Sequence, residues 1–308
     1  MRTRFFADLV EAARSDPDLV LMTGDLGFGV VEPFVEACPE QFINAGVAEQ
    51  NMTGMAAGIA LAGSKVFTYS IANFPTLRCL EQIRNDIAYH GADVTVVAVG
   101  GGLAYGALGM SHHATEDLSI MRSIPGMAVA APGDAAETSA VLTDLLTRGG
   151  PAYLRLGKAG EPVVHAGAVT VPRGTSLRLH EGEDVCLVTT GGMLPVGVRV
   201  VDLLEDLGIS CTLVSMPWLA PFDVATVQAA GAAHRLVVTL EEHSVTGGLG
   251  GATAEVLAEE AGSAPLLRLG LPHQFSSVVG DQEYLRARHG LTPDAVSDRV
   301  SIRFKEIS

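Results

Sequence analysis

The chain has 308 residues, 48% hydrophobic and 18% charged, with 35 glycines and a formal charge of −15. That length supports two domains, each with its own core. The acidic balance excludes nucleic acid and anionic membrane as partners, because their phosphates would be repelled.

The opening "MRTRFFADLVEAARSD" is amphipathic and carries acids, so it reads as a first helix and not as a signal peptide. Buried strands are expected at "DLVLMTG", "KVFTYS", "DVTVVAVG", "GMAVAAP" and "PAYLRL". Amphipathic helices are expected between them, notably over 76–90 and 134–148. Strands alternating with helices point to an α/β fold with a largely parallel sheet wound on both faces. Residues 161–183 lose the helical period and gain Gly, Pro and charge, as a linker does. The alternation then restarts with "DVCLVTT", a helix from Leu194, "ISCTLVS", a helix near Val224, "RLVVTLE" and a helix from Gly250. Two doubly wound domains are therefore expected, 1–160 and 184–308. Cys38, Cys79, Cys186 and Cys211 are far apart and form no C-x-x-C pair, as buried thiols of a reducing compartment would be. No apolar run approaches the length of a membrane span, so a cytoplasmic protein is expected.

Several stretches carry chemistry. "SVTGGLGGATAEV", 244–256, follows a strand and opens a helix, but its glycines fit the dinucleotide pattern poorly; a tight turn for close packing is the better reading. "VGGGLAYGALG", 99–109, is a glycine loop after a strand, where ligand crevices form. It leads into "MSHHATED", whose His112 and His113 point different ways and make no metal pair alone. Phe74 stands at a strand-to-helix turn, as core filler or as a face for a flat ring. Glu49 heads the apolar segment "EQNMTGMAAGIALAG". Helix capping would account for it on the bare residue. There is no Walker sequence, no H-E-x-x-H and no G-x-S-x-G.

Together, "GVAEQNMTGMAAGIALAG", "YSIANFPTLRCLEQIRND", "LGMSHHATEDLSIMRSIPGM" and "VVTLEEHSVTGGLGG" resemble the carboxyl-terminal half of transketolases, over essentially the whole chain. They resemble less closely the 1-deoxyxylulose-5-phosphate synthases and the β subunits of 2-oxo acid dehydrogenases. The resemblance implies a pyrimidine-binding domain followed by a transketolase C-terminal domain. It implies thiamine diphosphate as cofactor, with Glu49 as the acid on the aminopyrimidine nitrogen. Burial disfavours a carboxylate's charged form and suits proton exchange near neutrality. Phe74 corresponds to the ring stacked on the pyrimidine, Val47 to the apolar prop, and Asp25 and Leu26 to the pair beside the pyrimidine. His112 corresponds to the histidine on the donor oxygen, with His113 as its alternative in substrate binding, and Arg155 to the clamp on a substrate phosphate.

The G-D-G segment that holds the diphosphate has no counterpart; Gly24-Asp25 is followed by Leu26. The resemblance thus implies one subunit of a split ketol transferase acting on a sugar or sugar phosphate. An N-terminal transketolase subunit would hold the diphosphate and Mg2+ or Ca2+, in an α2β2 assembly. Leu108 stands where single-chain transketolases carry a hydroxyl-binding acid, and the phosphate-contacting histidine falls near Gly100. The alternative is a subunit of a decarboxylating 2-oxo acid enzyme.

Overall fold

A run such as Val94–Val99, buried at every position, is stable only inside a sheet covered on both faces. The computed structural model, which describes residues 1–307, contains two such sheets. In chain order the strands are β1 (Leu19–Thr23), β2 (Phe42–Asn44), β3 (Lys65–Ile71), β4 (Val94–Val99), β5 (Ala128–Ala130), β6 (Ala152–Leu156), β7 (Leu177–His180), β8 (Val185–Thr189), β9 (Cys211–Ser215), β10 (Trp218–Ala220), β11 (Leu236–Ser244) and β12 (Leu266–Leu271). The first sheet runs β10-β5-β6-β4-β3-β1-β2 and the second β12-β11-β8-β9-β7. Pairing is parallel except at β10–β5 and β7–β9. The α/β class expected from the sequence is the class found.

Three features depart from the expected division. The stretch read as a linker contains β7, which pairs with β9 and edges the second sheet. β10, from the second half of the chain, crosses back to edge the first sheet beside β5. Its Trp218 is fully buried, and the indole N–H donates to the Val171 carbonyl at 3.2 Å. The helix expected over 76–90 is broken into a short α turn Asn73–Thr76, a 3-10 turn Leu77–Cys79, an α turn Leu80–Gln82 and a π-helical stretch Ile83–Ala88. Pro75 lacks an N–H, and the Thr76 hydroxyl donates to the Ala72 carbonyl at 2.6 Å, a bond that bends helices.

β1 pairs with β2 on one side and β3 on the other, so the chain reverses its direction of travel across the sheet there. In open α/β sheets the crevice outside the carboxyl ends of strands at such a reversal is where ligands bind.

The two sheets share their interior. One apolar cluster runs from Met22, Met52 and Val94 of the first half to Val188, Val214 and Val237 of the second. Fully burying each such side chain contributes about 1.5–3 kcal/mol, so the halves are not independent. Polar contacts pin the seam as well: Ser244 N donates to Thr115 O (2.9 Å) and Gly191 N to Ala131 O (3.0 Å).

Beside the seam, the buried Glu241 carboxylate accepts the N–H groups of Leu249 (2.7 Å) and Gly250 (2.8 Å), at the start of the helix Leu249–Ala258. That helix N-terminus lies in the glycine-rich motif considered for a dinucleotide, and its own Glu241 fills it. Despite those two bonds, burial pushes Glu241 up to about 7 from 4.5. An acid raised on folding binds more protons folded than unfolded between those values, so its contribution to stability is full below about pH 4.5 and lost as pH rises to about 7. The melting temperature should therefore fall across that window in the native chain. Glu241→Gln, which does not titrate, should lose that part of the slope; identical pH profiles would remove the assignment.

Candidate active site

The carboxyl ends of β1, β2, β3, β4 and β6 all open on the crevice. Asn44, at the end of β2, ties two of its loops together. Its carboxamide oxygen accepts from Asp25 N and Gly46 N, both at 3.0 Å, and its Nδ2 donates to Asp25 Oδ1 at 3.0 Å. Those bonds hold Asp25 in the left-handed region, φ 56°, where most non-glycine residues are strained. The Asp25 side chain is thereby committed to Asn44. Leu26 packs on the apolar cluster that contains Phe67 and Tyr69, on the far face of the sheet.

Glu49 is the first residue of the helix Glu49–Leu61, and it is 2% exposed. Gly24 lies beside its methylene carbons, where a Cβ would sit 3.4 Å from Glu49 Cγ. The carboxylate has a partner: Arg78 Nη1 is 2.6 Å from Glu49 Oε2. The same guanidinium lies over the Phe74 ring, with Cζ 4.7 Å from the centroid. The His112 ring meets Phe74 edge-on, centroids 5.2 Å apart at 69°. One continuous cluster thus runs Glu49–Arg78–Phe74–His112. Val47, two residues before the helix, is 75% exposed.

The paired histidines separate clearly. His112 is half-buried; its Nδ1 bonds the Ser111 hydroxyl at 3.1 Å. His113 is buried, its Nε2 bonded to the Gly106 carbonyl at 3.3 Å, while its own carbonyl accepts from Asn73 Nδ2. His113 therefore braces the glycine loop and does not line the crevice.

Arg155, expected to clamp a substrate phosphate, lies within β6 and lines the cavity between the domains, with its side chain 8% exposed and its guanidinium bonded to protein groups. Nε pairs with Asp117 Oδ2 at 3.2 Å; Nη2 donates to Ala114 O (3.0 Å) and Glu242 O (2.8 Å). It is a strut between the domains. The exposed cation here is Lys158, past the end of β6, with Nζ 5.0 Å from the Tyr105 ring centroid. Tyr105 in turn lies 6.4 Å from His112. Lys158, Tyr105 and Leu108 line a cavity of about 600 Å3 between the domains. Among the described residues no group of three or more His, Cys, Asp or Glu side chains is arranged to hold a metal ion, and no helix is long and apolar enough to cross a membrane.

An acid entering an apolar helix, an aromatic ring and a nearby histidine thus meet at the switch point of a parallel sheet. The transketolase pyrimidine-binding domain matches residues 1–160 and the transketolase C-terminal domain residues 174–296. A putative transketolase C-terminal section from Methanocaldococcus jannaschii is 36% identical over 99% of this chain and 96% of its own length. One of the subunits of an apulose-4-phosphate transketolase from Phocaeicola vulgatus is 33% identical over 96% of this chain and 94% of its own. A solved split-gene transketolase, described as an inactive β4 tetramer, superposes with a TM-score of 0.89 at 36% identity, covering 99% of this chain and 97% of that one. The chain belongs to the transketolase family. It is a transketolase subunit, a transferase, and the family implies thiamine diphosphate as its cofactor.

Three contributors escaped the sequence reading. Arg78 lies within a quoted motif, yet nothing in its spacing marks it as the partner of Glu49. Lys158 follows Arg155 by three residues, and only the strand end separates their roles. Glu242 is the third. It is buried, accepts Leu103 N (2.6 Å) and Gln282 Nε2 (2.9 Å), and pairs with Arg286 at 2.5 Å. It presses on the glycine loop where bulk is forbidden: a Cβ on Gly100 would meet Tyr105 at 2.1 Å, on Gly101 Arg155 Nε at 1.8 Å, and on Gly102 Glu242 Oε1 at 2.5 Å. Gly102 also has φ +64°. Gly102→Ala combines that strain with a clash against backbone, so a loss of about 1–3 kcal/mol is expected in denaturant unfolding. A Gly102→Ala chain as stable as the native one would show that the loop is not clamped.

Proposed function

We propose that this chain supplies the pyrimidine half of a two-chain transketolase that moves a two-carbon ketol unit from a ketose donor to an aldehyde acceptor. A partner subunit carries the diphosphate-binding domain and the Mg2+ or Ca2+, in an α2β2 assembly. The observation that carries this reading is the Glu49–Arg78–Phe74–His112 cluster, with the exposed Val47 two residues before the acid. Such a seat grips one end of an extended cofactor and leaves the other end to a second chain.

The cofactor, once bound, supplies the carbanion chemistry that the side chains lack. Glu49 would hold the aminopyrimidine nitrogen and exchange a proton with it, in a site that the partner subunit closes to competing water. Phe74 offers a flat apolar face for the ring. His112 stands beside that face with Nε2 unpartnered among the described residues, placed to give and take a proton at a substrate oxygen. Lys158 reads an anionic group at the far end of the substrate as a point charge, across the cavity that Tyr105 and Leu108 help to line.

Two measurements test this. Reconstituted with its diphosphate-binding partner, the assembly should bind thiamine diphosphate and transfer ketol units. Glu49→Gln should then lower kcat about 10²–10⁴-fold with the fold intact by circular dichroism. Near-normal turnover in that variant, or carbon dioxide release from a 2-oxo acid in place of ketol transfer, would refute the reading. Lys158→Ala should raise KM for a phosphorylated acceptor about tenfold and leave an unphosphorylated one unchanged; equal effects on both would remove Lys158 from substrate recognition.

A further inference from the structure

Arg78 makes, within one side chain, the two contacts a coenzyme ring needs from this seat. Its planar guanidinium lies over Phe74 at 4.7 Å and donates to Glu49 Oε2 at 2.6 Å. An aminopyrimidine is likewise flat, stacks on an aromatic face and hydrogen-bonds a carboxylate in its plane. A guanidinium shares these properties, being delocalised, weakly hydrated and prone to stack on aromatic faces. Two flat groups cannot share one face of Phe74 and one carboxylate oxygen.

The local backbone suits a side chain that exchanges places. Arg78 lies in the 3-10 turn Leu77–Cys79, after Thr76 with φ −98° and ψ −82°, outside regular helix. Its carbonyl is fixed by Gln50 Nε2 at 2.9 Å, so the main chain is pinned. The side chain is 46% exposed, whereas the Glu49 side chain is 2% exposed. The buried acid gives this arrangement a purpose. A buried carboxylate stripped of its partner is strongly destabilising, and Glu49 needs a partner before any ring arrives.

We propose that Arg78 is a built-in stand-in for the coenzyme ring, stacked on Phe74 and bonded to Glu49 until the aminopyrimidine displaces it. The inference rests on the function proposed above. Displacement lowers apparent affinity, because the seat is competent only in the fraction of molecules from which Arg78 has withdrawn. Arg78→Met removes the occupant and leaves Glu49 without a partner in the empty seat.

The test is calorimetric titration of thiamine diphosphate with Mg2+ into the reconstituted two-chain assembly, joined to melting curves with and without coenzyme. Arg78→Met should bind the coenzyme about tenfold more tightly, melt at lower temperature when empty, and gain more on loading than the native assembly. Arg78→Lys keeps the ion pair but cannot lie flat on the ring. It should fold normally and bind a few-fold more tightly, which serves if the Met variant does not fold. Weaker or unchanged binding in a folded variant would overturn the stand-in and make Arg78 a direct contact or a bystander. A native assembly that takes up no coenzyme at all would instead overturn the function on which the inference rests.

Discussion

A carboxylate held out of water must have a partner, and the arrangement of the crevice follows from how Glu49 meets that requirement. The helix Glu49–Leu61 begins at the sheet's topological reversal, which directs the acid inward; Gly24 leaves room for its methylenes. The partner comes from the next loop, after β3, because Arg78 lies one turn beyond Phe74. Once Glu49 is fixed, Arg78 and Phe74 are placed by it, and Phe74 places the ring of His112. The proposed site is thus assembled by a chain of contacts that starts from one desolvated charge.

The second domain contributes to that chain without lining the Glu49–Phe74 seat. β11 carries Glu241, Glu242 and His243 in succession, all buried. Glu241 caps a helix of its own domain, whereas Glu242 turns the other way and takes Leu103 N from the glycine loop of the first. Arg155 grips the Glu242 carbonyl from below. The loop from Gly100 to Gly109 is therefore clamped between domains, with its three consecutive glycines allowing Tyr105, Arg155 and Glu242 to press directly on backbone. A glycine loop is usually a source of freedom; here its lack of side chains is what permits it to be held.

Much of this was legible in the sequence, for reasons that differ by residue. The parallel strands were legible because β-branched runs such as "VTVVAV" admit few other environments. That Glu49, Phe74 and His112 belong to one cluster was legible because an acid, an aromatic and a histidine fell at motif positions in the right order. β10 was not, being three residues long with its defining contacts more than forty residues away at Val171 and in β5. Nor was the choice between Arg155 and Lys158. Arg155, inside the strand, reaches the cavity with its guanidinium already bonded to Asp117, Ala114 and Glu242, while Lys158, past the strand end, is exposed, and a one-residue error in the strand boundary erases the distinction. His112 and His113 pose the same problem on a loop: adjacent residues diverge, and only the carbonyl of Gly106 decides which one turns in.

The shape of the cluster argues for two chains more strongly than any single residue in it. Glu49 is buried and joined to Phe74 through Arg78, while Val47, two residues before the acid, stands 75% exposed. An apolar side chain exposed beside a buried acid does not suit a finished active site, where bulk water would compete for the proton that Glu49 is proposed to exchange. A covering surface resolves both features at once, burying the apolar side chain and drying the acid. The requirement then becomes reciprocal. On the function proposed above, the partner would need Glu49 to hold the aminopyrimidine and Glu49 would need the partner to dry its site, so coenzyme binding and subunit assembly would stabilise each other.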